Sequence, residues 1–65
     1  MIKLTKFQSK DAEFVLNAEL IESVEETPDT VITLVNGKKI LVEESMAEIV
    51  RRVMEYRRAL GRFTR

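Results

Sequence analysis

The chain contains no cysteine, no histidine and no tryptophan. The missing cysteines exclude a disulfide framework, a thiol nucleophile and a cysteine-ligated zinc site, and they leave the redox compartment undefined. The missing histidines remove the side chain that most often serves as a general base at neutral pH and as a nitrogen ligand for transition metals. We therefore predict a protein that is not an enzyme and that binds no cofactor and no metal.

Long hydrophobic runs are also absent. No apolar stretch approaches the roughly 18 residues that a membrane-spanning helix needs. The first six residues alternate apolar and polar side chains and do not form the hydrophobic centre of a signal peptide. We therefore expect a cytoplasmic protein without a membrane span.

The chain has 65 residues, of which 45% are hydrophobic and 34% are charged. This is the profile of a globular chain, and the length predicts a single domain over residues 1–65. A domain this small buries only about 60% of the surface that its unfolded chain exposes. Because no disulfide or metal stabilises it, a homo-oligomer is one way in which it would gain stability.

The segment of about residues 1–43 carries the patterns of a sheet. Alternating apolar residues and β-branched residues predict short strands at 2–7, 14–16, 21–26, 30–35 and 38–42. A polar turn at residues 8–11 is expected to join the first two, and Asn17 is expected to cap a single helical turn after the second. The strand at 30–35 is apolar on both sides, which indicates a central strand covered on both faces.

Two turns flank the predicted central strand. Pro28 and Asp29 suit the turn before it, because proline fixes φ and aspartate can hydrogen-bond to its own backbone. Asn36 and Gly37 follow the strand, and this pair best tolerates the positive φ that both central residues of a type I′ turn require. A tight hairpin is therefore predicted after the central strand.

From Met46 onward the hydrophobic period changes from two residues to about 3.6, which predicts an amphipathic helix. Ser45 with Glu48 has the form of a capping box, and Gly61 suits a left-handed C-cap, so the helix is expected at about 46–60 before a tail at 61–65. Its apolar arc contains Met46, Ile49, Val50, Val53, Tyr56 and Leu60, with Met54 at the margin. The order predicts an α+β fold, in which the helix covers one face of an antiparallel meander of about four to five strands.

The net charge of zero conceals a segregation of charge along the chain. Residues 1–48 carry five lysines against ten acidic residues, a net charge of −5. Residues 49–65 carry six arginines against Glu55 alone, a net charge of +5. Helical pairs of Glu48 with Arg52 and of Glu55 with Arg58, together with the helix macrodipole, account for part of this basic end.

Arg57 falls inside the apolar arc of the helix. One interpretation is that its side chain extends past the edge of the core. The other is that it contacts a partner together with its basic neighbours. The candidate partner-binding residues are Arg51, Arg57, Arg58 and Arg62, with the turn at 27–30 as a second exposed feature.

A small nucleic-acid-binding regulator is the alternative that the arginine-rich helix suggests, since arginines neutralise phosphates. The overall neutrality of the chain argues against nucleic acid. The chain has only four aromatic residues, and with Phe7 and Phe14 expected in the core no stacking platform for single strands remains. An acidic protein or a membrane surface fits the basic helix at least as well.

Several segments at ordered spacings together resemble the FlbD family of small bacterial flagellar proteins, also called swarming motility proteins of the SwrD type. The segments are residues 1–6, Leu16 to Glu22, Thr27 to Thr30, Ile32 to Leu34, Asn36 to Lys39 and Val42 to Ser45. One departure is the longer segment Phe7 to Asp11, where the family has a tight Leu-Asn-Gly turn. The resemblance implies a cytoplasmic, non-enzymatic role in flagellar assembly or motor output, with a flagellar or motor-associated protein as partner and no catalytic site.

Overall fold

The computed structural model describes residues 1–9 and 12–63, and it describes the side chains of these residues as far as Gly61. Five strands precede one helix: β1 Ile2–Thr5, β2 Glu13–Leu16, β3 Ile21–Glu26, β4 Thr30–Leu34, β5 Lys39–Val42 and α1 Met46–Phe63. A single 3-10 turn, Ala18–Leu20, separates β2 from β3. The order of the elements confirms the predicted α+β fold.

The strands form two antiparallel sheets. β1 pairs with β2 in one sheet, and β4 lies between β3 and β5 in the other, which confirms the predicted central strand. The sheets meet where β1 ends: Lys6 and Val42 form a β-bridge, and the Glu43 N–H donates to the Thr5 carbonyl at 2.9 Å. The first and last strands are therefore neighbours, and the loop after β5 lies beside the end of β1.

The core lies between these sheets and the helix. Its buried hydrophobic residues are Ile2, Leu4, Leu16, Ala18, Ile32, Leu34, Val42 and Ile49. On β4 the side chains of Thr30, Ile32 and Leu34 are buried, whereas Val31 and Thr33 on the other face are half-buried. The central strand is therefore fully covered on one face only. Phe14 packs against the core as expected, and Phe7 is half-buried.

The hairpin between β4 and β5 is confirmed, but its predicted turn type is wrong. Gly37 has a φ of 90°, whereas Asn36 is not among the described residues with positive φ. The Gly37 N–H donates to the Leu34 carbonyl and the Leu34 N–H donates to the Lys38 carbonyl, each at 2.8 Å, so the loop contains three residues. The Asn36 side chain accepts from the Lys38 N–H at 3.0 Å, which favours negative φ at Asn36 and leaves the left-handed conformation to glycine.

The earlier turns follow the sequence more closely. The Asn17 side chain accepts a hydrogen bond from the Glu19 N–H at 3.0 Å, which confirms the predicted cap of the helical turn. Pro28 and Asp29 lie in the turn between β3 and β4, where the Thr27–Pro28 peptide bond is cis. The predicted turn at residues 8–11 lies partly outside the described residues.

The helix begins as predicted and ends later. The Ser45 hydroxyl accepts from the Glu48 N–H at 3.1 Å, and the Glu26 carboxylate accepts from the Met46 N–H at 2.9 Å. The predicted end near Gly61 is wrong, because α1 continues to Phe63 and Gly61 lacks the positive φ of a left-handed cap. No proline follows Gly61, so the backbone has no steric reason to leave the helix there. Residues 64–65 of the predicted tail lie outside the described residues.

Candidate interaction surface on the C-terminal helix

The helix contacts the sheets through part of its predicted apolar arc only. Ile49 is buried, and Val53 and Tyr56 pack partly against the core. The other apolar residues of the arc, Met46, Val50, Met54 and Leu60, are exposed. Beyond Tyr56, every described side chain of the helix is exposed, so the last turns extend past the core.

Arg52 anchors the helix to the end of β1. Its guanidinium donates from Nη1 to the Lys3 carbonyl, lies 3.4 Å from Glu44 Oε2, and donates from Nε to Glu48 at 2.7 Å. The predicted pair of Glu48 with Arg52 is therefore confirmed. The contacts to Lys3 and Glu44 join the helix to segments that lie 49 and 8 residues away in the sequence. Arg52 was not among the predicted site residues, and its function here is to hold the helix in place.

The carboxylates around this anchor are stabilised in the ionised form. Partial burial of Glu44 favours the neutral acid, but hydrogen bonds from the Thr5 N–H and hydroxyl, together with the Arg52 charge, lower the pKa of Glu44 below its usual range. Hydrogen bonds from Arg51 and then Arg52 lower the pKa of Glu48 to about 2. Both groups are therefore charged at neutral pH, and neither is poised to exchange a proton there.

The predicted arginines fall into two groups. Arg51 is held by ion pairs to Glu48 and Glu55, the latter at 2.8 Å, and its pKa is raised by them. Glu55 thus pairs with Arg51 and not with Arg58, contrary to the prediction. Arg57 and Arg58 are exposed, and their side chains form no hydrogen bond or ion pair with any residue that the structure describes.

The remaining predicted residues lie in separate places. Arg62 belongs to the last turn of α1, and its side chain lies outside the described residues. Ser45 lies at the opposite end of the helix, about 20 Å from Arg58 at 1.5 Å per residue. The structural residues Pro28, Asp29, Asn36 and Gly37 lie in the two turns that flank β4. Of the predicted contact residues, the structure presents Arg57 and Arg58 as adjacent, exposed charges.

An apolar groove beside the helix was not predicted. It has a volume of about 310 Å³ and lies between β3, which contributes Ile21 and Val24, and α1, which contributes Met46, Val50 and Met54. The apolar arc spans about 160° of the helix, more than the roughly 100° that one packed face needs. That excess width is the sequence signal that could have revealed a second, unburied apolar face.

A wider and more polar cleft of about 560 Å³ opens on the other side of the helix, beside the Arg52 anchor. Lys3, Glu13, Glu55 and Tyr56 are among the residues that line it. Both acidic and basic groups line it, and the Thr5 hydroxyl donates there to the Glu44 carboxylate at 2.9 Å. The lowered pKa of Glu44 makes this carboxylate a weak base for activating the hydroxyl. Among the described residues, no group of three or more acidic side chains is placed to hold a metal ion.

Comparison with known proteins gives one match. A family model described as "FlbD: Flagellar and Swarming motility proteins" matches residues 1–61 of the chain. No curated protein and no solved structure matches. Within the part of the chain that the structure describes, no helix is long and apolar enough to cross a membrane.

Proposed function

The chain belongs to the FlbD family of flagellar and swarming motility proteins, and from this membership we propose a non-enzymatic accessory protein that acts through protein–protein contacts. Its role lies in flagellar assembly or motor output, and its site of action is the cytoplasm. The partner is a flagellar or motor-associated protein. The observation that supports a contact mechanism is the exposed end of α1, where the Arg57 and Arg58 side chains form no ion pair with any described residue.

The contact surface consists of Arg57 and Arg58 with the neighbouring side chain of Met54. All three are exposed. Arg57 and Arg58 follow Tyr56, the last helix residue that packs against the core, and Met54 lies one turn before them. Arginine and methionine are both enriched in protein interfaces, and opposite charge on a partner would guide its association. A partner with acidic groups beside apolar side chains fits this surface.

The lowered pKa values of two carboxylates support the proposal of a non-enzymatic role. Glu44 and Glu48 are the carboxylates with the most marked environments, and both are held ionised by their neighbours. A general acid or base needs a pKa close to the working pH, which these contacts oppose. Their hydrogen bonds instead serve to position the helix.

A nucleic-acid-binding regulator is the second candidate, and the two adjacent exposed arginines favour it. Against it, Arg51 and Arg52 are engaged in ion pairs with glutamates, so phosphates would have to compete with them. A gel-shift series from low to high salt separates the two functions, since phosphate contacts weaken steeply as salt rises. A retarded complex with steep salt dependence would favour the regulator, and no retardation even at low salt would exclude it.

Deletion of the gene in a flagellated bacterium that carries it tests the motility role. We expect impaired swimming or swarming, restored by a plasmid copy of the intact gene. Flagellar number, counted in the same strain, distinguishes the two roles: fewer flagella would indicate assembly, and normal numbers with slower rotation would indicate motor output. Unchanged motility and unchanged flagellar number would contradict the proposal.

A further inference from the structure

The exposed face of α1 is an apolar stripe that contains one charge. Met46, Val50 and Met54 recur every four residues and are 41%, 53% and 55% exposed. At 100° per residue Arg57 projects between Met46 and Val50 around the helix axis, whereas Arg58 projects about 100° away from Arg57. Arg57 therefore lies within the angular range of the stripe, whereas Arg58, four residues after Met54, lies about 40° past its edge.

The groove beside this stripe has an acidic end and a basic end. α1 begins next to Glu26, whose carboxylate accepts a hydrogen bond from the Met46 N–H at 2.9 Å. The helix then runs along β3, where Met46, Val50 and Met54 line the groove. Arg57 lies one turn past Met54. A negative charge at the start of the stripe and a positive charge past its end make the surface complementary to an inverted copy of itself.

We propose that the groove binds a second copy of this chain, with the two α1 helices antiparallel across a two-fold axis. When the axis lies midway between Val50 and Met54, each Val50 packs against Met54 of the other copy. The same arrangement places Arg57 at the level of Ala47 in the other copy, next to Glu26. Because a two-fold interface uses the same patch twice, both charge pairs form at once.

Three properties of the chain support a second copy as the occupant. The charge is segregated into a net −5 over residues 1–48 and a net +5 over residues 49–65, so an inverted arrangement brings opposite charges together. Antiparallel helices also oppose their macrodipoles favourably. In addition, a chain of 65 residues without disulfides or metals gains stability from a shared core.

Sedimentation of the purified full chain tests the proposal directly. Over concentrations from about 1 µM to about 1 mM, a range that spans weak to moderate affinities, we expect the mass to rise from monomer to dimer. Val50→Glu should shift this transition to at least about tenfold higher concentration, because it places a charge in the apolar contact. Val35→Glu is the matched control: Val35 is 62% exposed in the β4–β5 loop, and its replacement should leave the transition unchanged.

The charge pairs are tested by removing one charge at a time. Arg57→Gln should weaken dimerisation about tenfold, and Lys38→Gln, which removes the same charge from an exposed position just before β5, should leave it unchanged. Glu26→Gln should also weaken dimerisation. In the double variant Glu26→Gln with Arg57→Gln, the loss of dimerisation free energy should be smaller than the sum of the two single losses, because the residues form one pair. Circular dichroism verifies that the helix is retained in each variant.

A chain that stays monomeric at every concentration overturns the proposal, whether or not it binds vesicles or another protein. Equal effects of Val50→Glu and Val35→Glu, or of Arg57→Gln and Lys38→Gln, overturn it as well. The dimer covers Met54 and Arg57, so a second copy and the motility partner compete for this surface. Dimerisation is nevertheless tested separately from the motility role, because it is measured on the purified chain. A monomeric chain would leave that role intact, and a dimer in a strain with unaffected motility would refute only the role.

Discussion

The Glu44 carboxylate accepts two hydrogen bonds from Thr5, one from the backbone N–H at 3.0 Å and one from the hydroxyl at 2.9 Å. The two residues lie 39 positions apart in the sequence. Their contact joins the end of β1 to the loop that precedes α1, and Arg52 approaches the same carboxylate from the helix. This contact is therefore central to how the two sheets and the helix are held together.

Glu44→Gln should destabilise the fold. The Glu44 side chain is only 11% exposed, and the substitution replaces one acceptor oxygen with an amide that cannot accept from Thr5. We expect a loss of about 2 kcal/mol, typical of a hydrogen bond to a charged group. For a domain of this size that loss lowers the midpoint of thermal unfolding by roughly 10 °C.

Glu25→Gln is the control for that measurement. Glu25 lies on β3 and is exposed, so the same chemical change should alter stability by less than about 0.5 kcal/mol. Thermal unfolding followed by circular dichroism compares the two variants. Equal midpoints for Glu44→Gln and the unmodified chain would show that the contact with Thr5 does not stabilise the fold.

Acidification should destabilise the chain over a defined range of pH. Glu44 and Glu48 have folded-state pKa values below the ordinary glutamate value of 4.5, and that of Glu48 lies at about 2. A carboxyl group with a lowered folded-state pKa contributes its stabilisation fully above the unfolded pKa. That contribution is lost as the pH falls through the folded pKa. The unfolding midpoint should therefore decrease between about pH 4.5 and pH 2.

Substituted carboxylates identify the source of this acid sensitivity. Glu44→Gln and Glu48→Gln should each have a shallower decrease in the unfolding midpoint over the same range, because one titrating group has been removed. A midpoint that does not change from pH 5 to pH 2 would contradict the assignment of these lowered pKa values.

The two glycines should respond to alanine in opposite directions. A Cβ at either position would contact nothing within 4 Å, so neither substitution causes a steric clash with other residues. Gly37 has a φ of 90°, which an alanine adopts only with strain, and Gly37→Ala should cost about 1 kcal/mol. Gly61 lies in the helix, where alanine is preferred by up to about 1 kcal/mol, although fraying near the helix end reduces this gain.

Denaturant unfolding of the two glycine variants measures both the expected loss of stability in Gly37→Ala and the expected gain in Gly61→Ala. Because the expected changes have opposite directions, the unmodified chain should unfold between the two variants. Destabilisation by Gly61→Ala would mean that Gly61 adopts a left-handed conformation and ends the helix, which contradicts a helix that continues to Phe63.

The features that could be predicted from the sequence depend on local interactions. Asn17 and Ser45 cap backbone groups two and three residues away, and the hairpin at Gly37 follows from a short turn between two apolar strands. The turn type was less predictable. The Asn36 side chain accepts a hydrogen bond from the Lys38 N–H in the three-residue loop, and the Asn-Gly pair alone does not reveal this contact. The end of α1 was missed since a glycine alone does not determine where a helix stops.

The Arg52 anchor and the groove between β3 and α1 could not be predicted without knowing the fold. The i, i+4 spacing of Arg52 and Glu48 predicted their ion pair. Nothing in the local sequence indicated that Arg52 also contacts the Lys3 carbonyl, 49 residues away. The division of the apolar arc into buried and exposed faces depends on where β3 lies beside the helix. All three of the predicted arginines Arg51, Arg57 and Arg58 are exposed, but Arg51 is held in ion pairs by Glu48 and Glu55.

Reversal of charge on the helix should abolish function without unfolding the chain. In the deletion strain we expect a gene with Arg57→Glu and Arg58→Glu to fail to restore motility. Surface substitutions away from packed or bonded groups change stability by less than about 0.5 kcal/mol, so the protein level should be maintained. Lys38→Glu with Lys39→Glu is the control, because both lysines are exposed and the change in net charge is the same.

Swarming of the deletion strain complemented with these two genes is the most direct test of the central claim, that the exposed end of α1 carries the motility function. Immunoblots of the same cultures verify equal amounts of protein. The account predicts full swarming with the lysine variant and none above the deletion strain with the arginine variant. Full swarming with the arginine variant at an equal protein level would contradict it.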